Sequence, residues 1–559
     1  MCMSTSRITH NGDGRTPERD TGAPTTTSTK DPDTSADGSP PEKKTALDRV
    51  LGGVEAVGNK LPEPFTLFLI LFLFTAAVST VLAYFGAEVE VPGEDEKVVI
   101  KGFFTGEGLA WFTTTMGENY LGFPPLATVL PIMLAVGVSE RSGMLSALIR
   151  KLFGSANRSI LPYAVGLIGV TGSIMADAAF VVIPPLAAMV FKAAGRPPVA
   201  GLLGGFAAVG AGYSTALVPT SLDALFAGIT NAVMDTLPNL DATHVNPISN
   251  YYFNIAASIV LGLICGLVID KVLEPRMHKL DVPEDMVEGD DGMNRDADGN
   301  EISVELTDKE SRGLKWAGIA TVIVTAIILV AVLIPSSPWR NEEGAFLPKS
   351  PLLQSIVFIV FTYFLVLGIA YGKAAGTVNN IKDVVDMMTK AMGDMLGFLV
   401  LAFILGQFIS LFSWSGIGTF SAVKGAALLE SAGITGFGAI LAFIILASCL
   451  NLLVISGSAM WTLMASVFVP MFALIGFEPS FTQAAFRVGD SATQIITPLN
   501  PYIIVILTLL RRYEPKAGLG TLMSRLIVFV IPFWLSWAIL LFIWYIFDLP
   551  LGPGSGIFL

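Results

Sequence analysis

Cysteine and histidine are nearly absent, with three of each in 559 residues. Cys2, Cys265 and Cys449 are too few and too scattered for a disulfide framework or a metal site. His10, His244 and His278 fall in tails or loops, so no Ser–His pair and no His-rich metal centre is available inside an apolar segment. Charge is scarce too: Asp, Glu, Lys and Arg make up 14% of the chain, against 53% hydrophobic residues. A soluble protein of this size needs more charge to cover its surface. The net charge of −12 argues against a nucleic-acid partner. No cofactor, no metal and no enzymatic activity are expected.

What is abundant is apolar sequence in runs near the bilayer-spanning length of about 20 residues. Two examples are PFTLFLILFLFTAAVSTVLAYF, from Pro64 to Phe85, and WAGIATVIVTAIILVAVLI, from Trp316 to Ile334. Lipid offers backbone groups no partner, so such runs are helices, and the short alternating segments of a membrane barrel are missing. Residues 1–47 are rich in Ser, Thr, Pro, Gly and Asp without an apolar run, the composition of a disordered tail, and they lack the pattern of a signal peptide.

Lys and Arg near the span ends predict the orientation. The acidic stretch from Ala87 to Leu121 is placed outside as a loop. Arg141 to Arg158, Lys192, Arg196, Lys271, Arg276, Lys279, Lys373, Lys382, Lys390, Arg511, Arg512 and Arg525 are placed inside. The apolar stretch 160–192 then begins and ends inside. At about 1.5 Å per residue it is short for two full crossings. Its middle, GVTGSIMADAAF, is interrupted by Gly172, Ser173 and Asp177, which predicts a re-entrant hairpin. A second such stretch, 437–475, begins and ends outside and is interrupted at NLLVISGSAMW.

Each hairpin precedes an interrupted span. The span 198–234 is broken by Gly210, Gly212, Ser214, Thr215 and Pro219, and the span 479–511 by Gly489, Asp490, Ser491, Thr493 and Pro498. A hairpin and a broken helix, repeated in opposite orientation, are the pattern of a secondary transporter. The expected fold is an all-α polytopic membrane protein of about nine transmembrane helices plus two re-entrant helical hairpins arranged as inverted repeats. Its first repeat is 48–275 and its second 352–548. Between them lie an acidic cytoplasmic linker, 276–312, and a connecting helix, 313–335.

An ionisable group at mid-bilayer costs roughly 2.5–3.5 kcal/mol on insertion scales, which singles out Asp177, Asp223, Arg487 and Asp490. Arg487 and Asp490 are three residues apart on one helical face and are able to pair with each other. Arg487 also has the planar fork that suits a carboxylate, so it is able to serve a substrate and Asp490 in turn. Ser458 and Trp461 fall at the second hairpin tip, where a ring has a stacking partner and a polar group a hydrogen bond. The plainer role for a membrane Trp is an interfacial anchor. Asp177, at the first tip, is suited to carrying a proton, binding a cation or accepting a hydrogen bond from an amine. Asp223 is set aside as facing solvent near the outer end of its helix. Pro479 and Pro498 are read from the pattern alone as setting bends.

The blocks GNKLPEPFTLFL, ADAAFVVIPPLAA, PVAGLLGGFAAVGAGYSTALVPTSLDALFAGI and SGSAMWTLMASVFVPMFALIGFEPSFTQAAFRVGDS resemble the p-aminobenzoyl-glutamate transporter (AbgT) family, over about Val54 to Gly554. The resemblance implies a homodimer of inverted-repeat subunits in the cell's inner (plasma) membrane, with a cytoplasmic N-terminus. It implies ion-coupled transport, by H+ or Na+, of p-aminobenzoyl-glutamate-like folate catabolites or of p-aminobenzoate and sulfonamide-type antimetabolites. The family's site positions fall on Asp177, Ser458, Trp461, Pro479, Arg487, Asp490 and Pro498, each with the expected residue type. Transport of another small anion, such as a dicarboxylate, is the alternative within this architecture.

Overall fold

The computed structural model describes residues 62–90, 97–154, 156–235, 244–280, 282–283, 305–347, 350–454, 456–497 and 500–559. The N-terminal tail and most of the acidic linker lie outside these residues, and so does Pro498. Among the described residues, nine helical stretches are long and apolar enough to cross a membrane. The number agrees with the expected one, but the membership differs. The second arm of the second hairpin, Gly457–Leu474, is long enough to be included, whereas the halves of the first broken helix are each too short.

Many helices start where a proline is already set for the first turn, as at Pro64, Pro124, Pro198, Pro479 and Pro501. The proline ring fixes a helical φ there, and its missing N–H costs nothing. The stretch from Ala87 to Leu121, expected as a loop, is ordered differently. Glu88–Glu90 and Lys97–Val99 form an antiparallel strand pair, closed by Lys97 on Glu88 at 2.6 Å. Gly106–Leu121 is a helix whose threonines bond back to their own turn, as Thr113 does to the Leu109 carbonyl at 2.8 Å. Helices also occupy both ends of the expected linker: Glu274–Lys279 runs into it, and Asp308–Leu333 starts inside it on a Thr307–Glu310 capping box.

The first hairpin is Leu161–Thr171 and Ala178–Ala193, joined through a 3-10 turn, Gly172–Met175. It packs on the half-helix Pro198–Ala211 and on Tyr251–Val268. Its exit is tied down by Arg196, 8% exposed, which donates to both Glu274 oxygens at 3.0 and 3.1 Å through Nε and also pairs with Asp270. The second hairpin is Phe437–Asn451 and Gly457–Leu474. Its first arm packs on Pro479–Thr493 and its second on Ser221–Met234, the second half of the other repeat's broken helix. The first hairpin makes the matching cross-contact, Ala178–Ala193 against Pro501–Arg511. The least buried helices, Asp308–Leu333 above all, keep large apolar side chains outward, including Val322 at 69% and Ile327 at 63% exposed, a surface suited to lipid.

The two broken helices are not broken in the same way. The first has its gap between Ala211 and Ser221, close to the expected position. The sequence pattern places the second break at Gly489 and Ser491, but Pro479–Thr493 is one continuous helix and the irregularity begins at Gln494–Ile496. Gly489 has a different task, close approach. A Cβ there would lie 2.7 Å from the Ile444 carbonyl oxygen and 3.2 Å from the Ser448 nitrogen on the hairpin arm. Gly489→Val is therefore expected to destabilise the fold by about 1–3 kcal/mol through overpacking. A lowered thermal unfolding midpoint in detergent would show this, and an unchanged midpoint would remove the close-packing account.

Candidate functional site

The helix Pro479–Thr493 is buried along its whole length although nearly half its side chains are polar. Its polar face meets the gap in the first broken helix. Ser491 Oγ lies 2.7 Å from Ser214 Oγ, and Arg487 Nη1 donates to the Ser214 carbonyl oxygen. A gap exposes carbonyls that a helix would have satisfied internally, so a neighbouring cation and hydroxyl complete them.

Arg487 is 1% exposed and Asp490 is 1% exposed. They share a face as expected, yet they do not pair. Arg487 Nη1 forms its ion pair with Asp223 Oδ1 at 2.8 Å, and its guanidinium lies 5.3 Å from the centre of the Phe226 ring. Asp223, expected at a solvent-facing end, is 2% exposed and belongs to the site. It sits at N3 of Ser221–Met234, and its Oδ2 accepts from the Thr220 amide at 2.7 Å and the Thr220 hydroxyl at 2.9 Å. The helix restarts just after the gap, so the third residue faces inward. A count of residues from the loop does not reveal this.

With Arg487 turned to Asp223, both carboxylate oxygens of Asp490 are buried without a hydrogen-bond partner. So are Asn451 Oδ1 and Arg487 Nε. Asn451 closes the second hairpin's first arm and ties it to this helix, its Nδ2 donating to the Asp490 carbonyl and to Thr493 Oγ1 at 3.0 Å. Polar atoms held this deep without partners are costly, which makes the place a candidate for a bound water, ion or ligand.

The other expected residues are distributed around this centre. Asp177 is exposed at the first hairpin tip, after Ala176, whose φ of 47° is a conformation that alanine seldom adopts. The Tyr502 hydroxyl faces Asp177, and the Tyr502 ring stacks on Phe180 at 4.9 Å. Ser458 lies in the first turn of the second hairpin's second arm, 3.1 Å from Ser456 Oγ. The sequence pattern places Trp461 at the hairpin tip as a stacking partner for a substrate ring. It is 0% exposed instead, packed against Phe486 at 4.6 Å and Phe226 at 6.2 Å, with Nε1 donating to Thr230 Oγ1 at 3.2 Å. In this closed arrangement it is a wall holding hairpin, half-helix and Arg487 platform together. Pro479 starts its helix under the C-terminal segment, where the Glu478 amide donates to the Ile557 carbonyl. At about 1.5 Å per residue it is some 12 Å along the axis from Arg487.

Tyr213, not singled out from the sequence, stands within electrostatic reach of both Asp490 and Asp177, and its hydroxyl lies against Gly457 at the second hairpin tip, where a Cβ would come within 2.8 Å of it. Its only sequence signal is a polar aromatic in the stretch GAGYSTALVP. An apolar groove of about 450 Å³ runs beside the first hairpin, lined by residues such as Leu148, Ile168 and Met175. No ionisable side chain lines it, so the charged centre and this groove are separate.

Two hairpins and two interrupted helices, arranged as inverted repeats around buried charges, have the architecture of a membrane-transporter core. Residues 49–559 match the AbgT putative transporter family, and the chain belongs to it. It is 36% identical over 507 residues to the p-aminobenzoyl-glutamate transport protein of Escherichia coli (strain K12), covering 90% of this chain and 96% of that one. The YdaH transporter of Alcanivorax borkumensis superposes with a TM-score of 0.81 at 35% identity, covering 88% of this chain and all of the other. MtrF of Neisseria gonorrhoeae, which represents a class of antimetabolite efflux pumps, superposes with a TM-score of 0.82 at 34% identity, covering 91% of this chain and all of the other. The chain is a polytopic membrane transporter, not an enzyme.

Proposed function

We propose that this protein couples the movement of H+ or Na+ to transport of p-aminobenzoyl-glutamate-like folate catabolites or of p-aminobenzoate and sulfonamide-type antimetabolites. It does so as a homodimer in the inner membrane, with its N-terminus in the cytoplasm. The observation that carries this reading is the buried Arg487, with Nε unpartnered, one helical turn from the wholly unpartnered carboxylate of Asp490. A guanidinium edge recognises a carboxylate, and a lone buried carboxylate calls for a proton or metal cation. Substrate and coupling ion thus have adjacent places on one helix. The aromatic acid class comes from the E. coli relative, a p-aminobenzoyl-glutamate transport protein.

Asp177 and Tyr502 at the first tip, and Ser458 at the second, supply polar groups suited to an aryl amine and its linkage. The two repeats, 48–275 and 352–548, contribute opposite sides of the site, so a relative movement changes which side of the membrane it faces. The test is flux of labelled p-aminobenzoyl-glutamate and of a sulfonamide into proteoliposomes, with proton and sodium gradients imposed separately. Accumulation driven by one gradient and inhibited by p-aminobenzoate but not by succinate is the expected result. Equal flux without any gradient would sink coupling, and inhibition by succinate alone would sink the substrate class.

A further inference from the structure

Arg487 is held by a residue that does not need it. Beyond the ion pair, Asp223 accepts from the Thr220 amide, from the Thr220 hydroxyl, and from Asn254 Nδ2 at 3.1 Å. These three donors come from the helix cap and from the neighbouring helix Tyr251–Val268, so the Asp223 carboxylate stays solvated by protein if Arg487 turns away. Arg487, in contrast, is incompletely used. Its contacts to Asp223 and to the Ser214 carbonyl both run through Nη1, while Nε is buried and unpartnered. A carboxylate bound end-on at one nitrogen is weaker than one gripped by two parallel N–H groups. The Phe226 ring beneath the guanidinium lies on the same half-helix as Asp223 and supports the cation through an exchange of partners.

We propose that Asp223 is an internal competitor for Arg487. It engages the guanidinium between transport events and yields it to an incoming carboxylate, so it sets how strongly the transporter prefers anionic over neutral ligands. The inference rests on the reading above, in which Arg487 receives the substrate carboxylate. Without such a competitor the guanidinium would be buried and uncompensated before substrate arrives, costly to maintain and slow to release an anion. Asp223 is thus a specificity-determining residue that acts through Arg487 and need not touch substrate.

The experiment is calorimetric titration of the purified full chain in detergent with p-aminobenzoate and with its neutral analogue p-aminobenzamide. It compares the wild type, Asp223→Asn and Asp223→Glu. The amide variant is accommodated because Asn254 Oδ1 is buried and unpartnered, ready to accept from the new NH2 group after a flip of the Asn254 amide. With the competitor removed, the Kd for p-aminobenzoate is expected to fall about tenfold or more, the equivalent of about 1.4 kcal/mol, with p-aminobenzamide nearly unchanged. Asp223→Glu, which keeps the charge and reaches further, is expected to weaken p-aminobenzoate binding and spare the amide, and it decides the question even if Asp223→Asn does not fold. A wild type that binds p-aminobenzoate, with variants that shift acid and amide equally or not at all, overturns this inference alone. A wild type that binds neither compound overturns the substrate reading, and this inference with it.

Discussion

Arg487→Ala is expected to lower uptake of p-aminobenzoyl-glutamate into proteoliposomes by about 100-fold or more, since truncating one partner of a buried charge pair costs about 2–5 kcal/mol. The same substitution also removes the ion-pair partner of Asp223, which is 2% exposed. Loss of transport could then reflect lost stability alone. The double variant Arg487→Ala with Asp223→Asn separates the two effects. In the single variant the Asp223 carboxylate loses its counter-ion but keeps the Thr220 and Asn254 donors, so any fall in the thermal unfolding midpoint is expected to be small there and to be regained in the double variant, while transport stays lost. Recovery of both would mean that Arg487 serves only to neutralise Asp223, and would end its assignment to substrate. Arg487→Lys keeps the charge without the fork and is expected to remain severely impaired.

Asp490→Asn carries the second large expectation, and in it stability and function move in opposite directions. Both Asp490 oxygens are buried without partners, so the wild-type protein bears an uncompensated carboxylate whenever no ion is bound. The amide is still a buried polar group, so what the substitution relieves is the extra penalty that a charge carries beyond the about 1–3 kcal/mol of a neutral unsatisfied group. The variant is therefore expected to unfold at the same temperature as wild type or higher. Under the proposed coupling, gradient-driven accumulation is expected to disappear, because an amide does not take up the ion. A variant that still concentrates substrate under a proton or sodium gradient would remove Asp490 from the coupling mechanism. A variant that is clearly less stable would mean that the carboxylate is satisfied in the protein after all.

The two largest differences between sequence and structure concern the partner of a charge and the covering of a ring. On one helix, three residues apart, Arg487 and Asp490 are open to pairing with each other, and Asp223 reads as solvent-facing. The fold instead brings Asp223 across from the other repeat to within 2.8 Å of Arg487. Likewise, Trp461 near a hairpin tip reads as a stacking partner for a substrate ring. Its covering by Phe226 and Phe486 depends on two helices outside its own hairpin. Gly489 illustrates the same limit at the backbone, since a glycine beside polar residues reads as a break until the opposing hairpin arm is seen to need the space.

The amino-acid sequence alone determined that this chain is helical and membrane-embedded, because apolar length and the need to satisfy backbone groups in lipid are local properties. It also determined where the hairpins interrupt, and it singled out Asp177, Asp223, Arg487 and Asp490 as ionisable groups within apolar runs, because the composition of a run is a local property. The tertiary structure decided which charges are compensated and which are left open. Compensation acts over a few ångströms between segments hundreds of residues apart, and the crossing of the two repeats sets those distances. From that crossing follow the satisfied carboxylate of Asp223, the half-used guanidinium of Arg487 and the unpartnered oxygens of Asp490.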